Sequence, residues 1–287
     1  MTKRDFCSDA SRAVGEPLAG TAKHPERLLL IRWPKGRWSR NLAIAQDMSP
    51  ELVDVIEALR ADGRRVNLID RKQEAGGRCR LRLYPEQLGC DVDWAELPGV
   101  LQRLRDGDVT GWIALDRPVM LVCTHGQKDR CCALHGFALY QALHEHAPDF
   151  EVWESTHLGG CRLSAGALVL PALHKYGRLL PTDAAPLLEA ERSGRPWAEK
   201  WRGPCDLVPE AQAVAVAAAR AGLVDPGLDN PRPGIWRATT LADTRWFATA
   251  RDQVTRPPTC SDLDLGCSEE AEVYHVREIA GPLVAIS

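Results

Sequence analysis

The segment from Pro118 to Glu154 constrains this chain most, because it leaves few ways of connecting its elements. Pro118–Cys123 (PVMLVC) is an unbroken apolar run of strand length. A polar loop, Thr124–Arg130, follows it. Cys132–His146 then sets Phe137, Leu139, Tyr140 and Leu143 in an apolar stripe at helical spacing. Phe150–Glu154 reads as a second strand. A helix between two strands predicts a crossover that leaves those strands parallel and adjacent.

The elements that follow extend the pattern. Gly166–Leu170 and Tyr176–Leu180 read as two strands of a hairpin-like pair, and Thr182 is placed to cap a helix over Ala184–Arg192. Strand, helix, strand, strand, strand, helix is the order of a thioredoxin-type α/β core. The N-terminal third is also mixed α/β. Arg27–Trp33 and Arg65–Asp70 are strands, and Ser49–Gly63 is a helix with Ser49 as cap, Pro50 at its first position and Gly63 as its stop. Arg78–Tyr84 alternates strictly, which predicts a half-exposed strand with Arg78, Arg80 and Arg82 on a solvated face. Beyond Gly203–Pro204 come an alanine-rich helix (Pro209–Gly222), a loop (Asp225–Pro233), a hairpin (Ile235–Thr240 with Arg245–Ala250) and a last strand (Glu272–Ile279). The expected organisation is a degenerate thioredoxin-like domain over 1–115, a second thioredoxin-like domain over 116–200 that carries the chemistry, and a small α+β extension over 201–287.

Composition narrows the function classes. Thirty-nine acidic residues against 36 basic ones give a net charge of −3, without the basic excess of a nucleic-acid binder. No apolar run reaches the roughly 18 residues that span a bilayer. Met1–Pro17 is polar and has no apolar signal core, so the expected setting is the cytoplasm, with neither membrane nor nucleic acid as partner. Ten cysteines in such a chain point to metal binding or thiol chemistry. About half are expected to be small buried apolar residues, Cys79 and Cys205 first.

One constellation stands out. Cys123 ends the first core strand, Cys131 and Cys132 follow it across the loop, and His157 and Cys161 sit four apart after the second strand. Both loops leave the carboxyl ends of adjacent parallel strands and so face the same end of the sheet. Soft ligands brought together there suit a tetrahedral metal or an iron–sulfur cluster. Zinc accepts the same donor types, although the C-x-x-C of zinc ribbons is absent, and a buried cysteine pair with a satisfied histidine is the plain structural alternative. An imidazole ligand raises the potential of a cluster relative to thiolates alone. Gly159 and Gly160 allow close backbone approach. His125 and Asp129 read equally as loop-shaping groups or ordinary polar residues. His135, His144 and His146 read as helix histidines rather than ligands. Cys260 and Cys267 could pair with each other, or with Cys7 if the termini meet, and incidental thiols are the expectation for each.

CTHGQKDRCC (Cys123–Cys132) and HLGGCRLSAGALVLP (His157–Pro171) resemble the two signature segments of the sucrase/ferredoxin-like family. Weaker resemblance runs through EPLAGTA (Glu16–Ala22), YGRLLP (Tyr176–Pro181) and WRGPCDLVPEAQA (Trp201–Ala213). The resemblance implies a thioredoxin-like ferredoxin with one 2Fe-2S cluster. Members with known ligands place two cysteines nine apart before two histidines four apart. Carried over by position, this implies Cys123, Cys132, His157 and the residue at Cys161, where this chain departs from the family by having a thiol. Cys131 remains an alternative to Cys132.

Other chemistries find no footing. Glycine-rich phosphate loops, a G-x-S-x-G elbow and a short thioredoxin C-x-x-C are all absent from the sequence. No carboxylate pair is marked out for sugar hydrolysis. The expectation is an electron carrier with a redox partner protein. Its rivals are a thiol oxidoreductase acting through Cys131, Cys132 or Cys161, and a zinc-stabilised interaction module.

Overall fold

The computed structural model describes residues 5–71 and 77–281, so the first four residues of the Met1–Pro17 segment lie outside it. Contacts gather the chain into two compact units. One comprises His24–Gly159 with Ala167–Leu173, and the other Met1–Lys23, Gly160–Gly166 and His174–Ser287. This grouping follows contacts, whereas the division at 115 and 200 follows the succession of elements.

The first unit is built on a sheet whose two parts repeat one topology. In the first part, β1 (Leu28–Arg32) and β2 (Arg65–Asp70) are parallel, joined through the helix α2 (Pro50–Ala61). Next to them, β3 (Arg78–Tyr84) lies antiparallel on β1, followed by β4 (Leu88–Asp93) and the short β5 (Ile113–Ala114). The helix α3 (Leu97–Arg105) follows β4 in the chain. In the second part, β6 (Val119–Cys123) and β7 (Glu151–Ser155) are parallel across α4 (Arg130–His146), and β8 (Ala167–Leu170) is antiparallel on β6. The parts join where Ile69 and Asp70 of β2 pair antiparallel with Ser155 and Glu154 of β7, giving the order β5-β4-β3-β1-β2-β7-β6-β8. Each succession is strand, helix, strand, strand, strand, helix. The second one ends in β9 (His174–Tyr176) and α5 (Ala184–Arg192), which belong to the other unit. The fold is α/β and thioredoxin-like, with a C-terminal α+β appendage.

Local chemistry explains these elements. Ser49 Oγ accepts the Leu52 N–H at 3.3 Å and Pro50 occupies the first turn of α2, which needs no donor there. The helix buries Leu52, Val55, Ile56 and Leu59 against Leu29, Ile31, Leu68, Leu81 and Leu101. Burial of such side chains stabilises by about 1.5–3 kcal/mol each. The expected solvated face of Arg78–Tyr84 holds at Arg78, which is exposed, and in part at Arg80, but is corrected at Arg82. There β3 runs between β1 and β4, and Arg82 is only 7% exposed. Its guanidinium makes a two-pronged bond to buried Glu151 at 2.9 and 3.1 Å, while Arg80 pairs with Asp91 and Arg78 with Asp93. These charges are spent within the fold.

In the second unit, α6 (Pro209–Arg220) packs on a four-stranded antiparallel sheet of β10 (Gly227–Arg232), β11 (Ile235–Thr239), β12 (Thr244–Arg256) and β13 (Glu269–Ile279). Val214, Ala218, Leu223, Ala238 and Phe247 form its core. The segment expected as the loop Asp225–Pro233 supplies β10, an edge strand that tolerates Pro231. The strand expected over Tyr176–Leu180 ends at Tyr176, because Arg178 turns to φ +52°. Thr182 lies inside a short turn, Pro181–Asp183, rather than capping α5, and Asp183 instead accepts the Leu180 N–H at 2.9 Å. Two short helices, α1 (Cys7–Ala13) and α7 (Cys260–Asp264), complete the unit. Among the described residues no helix is long and apolar enough to cross a membrane.

Candidate metal centre

Cys123 is the last residue of β6, and Cys132 lies in the first turn of α4. Two features bring them together. Asp129 caps α4 by accepting the Cys131 N–H at 2.8 Å, which starts the helix one residue before the vicinal cysteines. Gly136, inside α4, then lets the helix lie against the strand end. A Cβ on Gly136 would stand 2.0 Å from the Cys123 carbonyl oxygen, so no larger residue fits without displacing backbone.

His157 follows β7 and completes the group. A ring nitrogen of His157 and the Sγ atoms of Cys123 and Cys132 all lie within 4.8 Å of one another, close enough to share one metal ion. Cys132, rather than Cys131, stands in this group. Both thiols are buried, and His157 is partly exposed. The Cys123 thiol is held well below its ordinary pKa. Its hydrogen bond with Cys132 contributes most, outweighing the opposing effect of burial, and His157 and the His125 backbone N–H add to it. The thiolate is the form that ligates metal, and the N-terminal end of α4 favours negative charge at Cys132.

The loop carrying His157 is held from the first part of the sheet. Its carbonyl accepts from Arg65 Nη2 at 2.5 Å and from Asn67 Nδ2 at 3.3 Å, both on β2. Asn67 also donates to the Thr156 carbonyl and hydroxyl, and Thr156 Oγ1 donates to the Leu42 carbonyl at 2.7 Å. The His157 N–H reaches His125 Nδ1 at 3.3 Å, while His125 Nε2 lies 2.7 Å from the Ser39 carbonyl. These partners require His125 to accept at Nδ1 and donate at Nε2, which is the neutral ring. Burial lowers its pKa in agreement. His125 and Asp129, 1% and 3% exposed, are therefore parts of the loop framework and not incidental polar residues.

Arg65, Asn67 and Ser39 were not singled out by sequence reasoning, since they lie some ninety positions or more from the residue they support. One signal was available: Asn67 is an amide in the middle of a buried strand and had to find partners. Gly136 carried another, as a glycine within a helix.

Cys161 belongs to the other unit. It is buried and opens the short turn Cys161–Leu163. Gly159 and Gly160 before it take φ of +95° and +82°, a backbone conformation that explains both glycines. Among the other expected cysteines, Cys79 is buried with its thiol pushed up to about 12 by burial, whereas Cys205 is only half-buried.

No curated protein matches the chain. A crystal structure of the wild-type thioredoxin-like [2Fe-2S] ferredoxin from Aquifex aeolicus is similar at 18% identity, covering 30% of this chain and 95% of that one, with a TM-score of 0.27. A second structure of a thioredoxin-like [2Fe-2S] ferredoxin from that organism covers 32% and 98%, at 18% identity and a TM-score of 0.28. The sucrase/ferredoxin-like family matches residues 18–203, a span that ends before α6 and the second sheet. That span is more than half of the sequence and contains Cys123, Cys132, His157 and Cys161, so the chain belongs to the sucrase/ferredoxin-like family.

Proposed function

We propose that this protein is an electron carrier that binds one 2Fe-2S cluster through Cys123, Cys132, His157 and Cys161. The observation that carries the reading is the convergence of two buried thiols and one imidazole at the carboxyl ends of β6 and β7. The donor set suits such a cluster, since thiolates supply the negative charge that iron needs and a histidine is an accepted replacement. When bound, the cluster takes up and returns one electron at a time.

The residues of the chain do the rest. The Cys132 hydrogen bond and the nearby His157 bias Cys123 towards thiolate, which lowers the cost of deprotonating it for ligation. Arg65 and Asn67 fix the backbone of His157, and neutral His125 receives its N–H, so the ring of His157 is presented from a braced loop. Burial of Cys123 and Cys132 keeps water from their sulfurs, while the more open His157 supports approach of a redox partner protein from its side. Cys161 is four residues beyond His157, within about 14 Å by chain length alone, and supplies the remaining thiolate.

The test is a visible spectrum of anaerobically purified protein, with iron, acid-labile sulfide and zinc measured on the same sample. The reading expects absorbance over roughly 320–600 nm that bleaches with dithionite, at about two irons and two sulfides per chain. A colourless protein with one zinc overturns it in favour of a structural module. A colourless, metal-free protein that resists reconstitution leaves thiol chemistry at Cys131, Cys132 or Cys161.

A further inference from the structure

We infer that Cys7 and Cys260 are the two halves of a redox-sensitive disulfide that ties α1 to α7 in the second unit. They are separated by 253 positions, yet their Sγ atoms lie 3.6 Å apart and the Cys7 N–H is directed at the Cys260 sulfur at 3.5 Å. Both are buried, at 0% and 2% exposure. A disulfide needs sulfurs about 2.0 Å apart, so the proposed bond requires the two sulfurs to close further from 3.6 Å.

The position of the pair gives the bond a consequence. Ser11 of α1 donates to Glu16 at 2.6 Å, and Arg178 donates both to Ser11 Oγ and to the Glu16 carbonyl. The same buried carboxylate accepts from Arg162, the neighbour of Cys161, at 2.7 Å, and from Arg256, four residues before Cys260, at 3.2 Å. Burial alone would raise the Glu16 pKa, but Arg162, Ser11 and Arg256 together hold it lowered. One carboxylate thus joins α1, the end of β12 and the turn that opens with Cys161. A covalent link from Cys7 to Cys260 locks that junction, which in the thiol form is held by these hydrogen bonds and by packing.

The oxidant is a low-molecular-weight disulfide. One protein thiolate attacks it, forming a mixed disulfide and releasing one small thiol. The second protein thiolate then displaces the other small thiol and closes the Cys7–Cys260 bond. Two protein thiols are oxidised, one small disulfide is reduced to two thiols, and the protein thiol protons pass to the released thiolates. Because both sulfurs are buried, exchange requires α1 to open, and mild urea should accelerate it.

The disulfide itself does not depend on the cluster reading; only its effect on the segment bearing Cys161 does. The full chain is treated with oxidised glutathione in mild urea, returned to buffer, alkylated and mapped by mass spectrometry. The expected product is a Cys7–Cys260 peptide lighter by two hydrogens, with a raised melting temperature. The product disappears in Cys260→Ser and in Cys7→Ala, and persists in Cys267→Ser. Recovery of both residues as alkylated thiols or as separate mixed disulfides overturns the inference. So does protection from alkylation that a chelator removes, which would assign the pair to a metal. In Cys161→Ser the cross-link should still form, so loss of iron there with the link intact bears on the cluster reading alone.

Discussion

The two parts of the large sheet share a topology and differ in what stands at matching places. β1 ends in Arg32 and leads to α2, whose first turn carries Ser49, Pro50 and Glu51. β6 ends in Cys123 and leads to α4, whose first turn carries Asp129, Cys131 and Cys132. β2 ends in Asp70 and the chain continues as Arg71, whereas beyond β7 it continues as Thr156 and His157. Among the described residues, the same scaffold therefore places cysteine and histidine at these positions in one copy, and arginine, serine and carboxylate residues in the other. The first copy is not idle, because its β2 and its 39–42 segment hold the loop that presents His157. The first half thus serves as the brace for the loop of its neighbour.

The largest test of this contrast removes the donor itself. Cys123→Ser should reduce iron per chain to background on anaerobic purification, while Cys79→Ser on β3 should leave it unchanged; equal iron in both would remove Cys123 from the site. Next in size is the buried ion pair. Arg82→Met leaves Glu151 with Trp153 Nε1 at 3.2 Å and Arg117 at 3.8 Å, and should cost up to about 3–5 kcal/mol in urea unfolding. The Glu151 carboxyl, which burial alone would raise, is lowered chiefly by Arg82. A depressed folded-state value contributes stability that is present above the unfolded value of 4.5 and is lost as pH falls through the folded one. Glu16 acts in the same direction in the other unit, so wild-type stability should decline on acidification below about 4.5. The acid limb should be smaller in the Arg82→Met background, and an unaltered pH profile there would contradict the assignment.

Asn67→Leu separates bracing from ligation. It leaves the Thr156 and His157 carbonyls short of a buried donor and should cost about 1–3 kcal/mol. Its particular signature is faster loss of iron to a chelator at unchanged initial stoichiometry; a chelation rate equal to wild type would confine Asn67 to stability. The smallest effect compares the two caps. Ser49→Ala should cost about 0.5–2 kcal/mol and leave chelation kinetics alone, whereas Asp129→Ala should cost a similar amount and alter them. Equal chelation behaviour in the two variants would show that the cap of α4 does not position Cys132.

Much of the fold was legible because it is written in local period and punctuation. The strand at Arg65–Asp70 and the helix opened by Ser49 and Pro50 agree with the structure, since apolar spacing and capping residues act within a few positions. The departures have physical causes of longer range. Alternation in Arg78–Tyr84 predicted a wet arginine face, but neighbours on both sides and a carboxylate about seventy positions away made Arg82 interior. Tyr176–Leu180 was expected to continue as strand, but Arg178 turns left-handed and donates to Ser11 and Glu16, near the other end of the chain.

The sequence by itself determined the donor types, their order and their attachment to the ends of two parallel strands, because those follow from residue identity and a β–α–β crossover. It also carried enough of the family's signature segments to identify the family. Only the tertiary structure decided that Cys132 rather than Cys131 stands with Cys123 and His157, that β2 braces the His157 loop, and that Cys7 meets Cys260. Each of these depends on chain segments brought together by packing, or on which way a helix turn points a thiol. Neither spacing nor composition carries that information, because the deciding contacts form only when distant apolar faces are buried together.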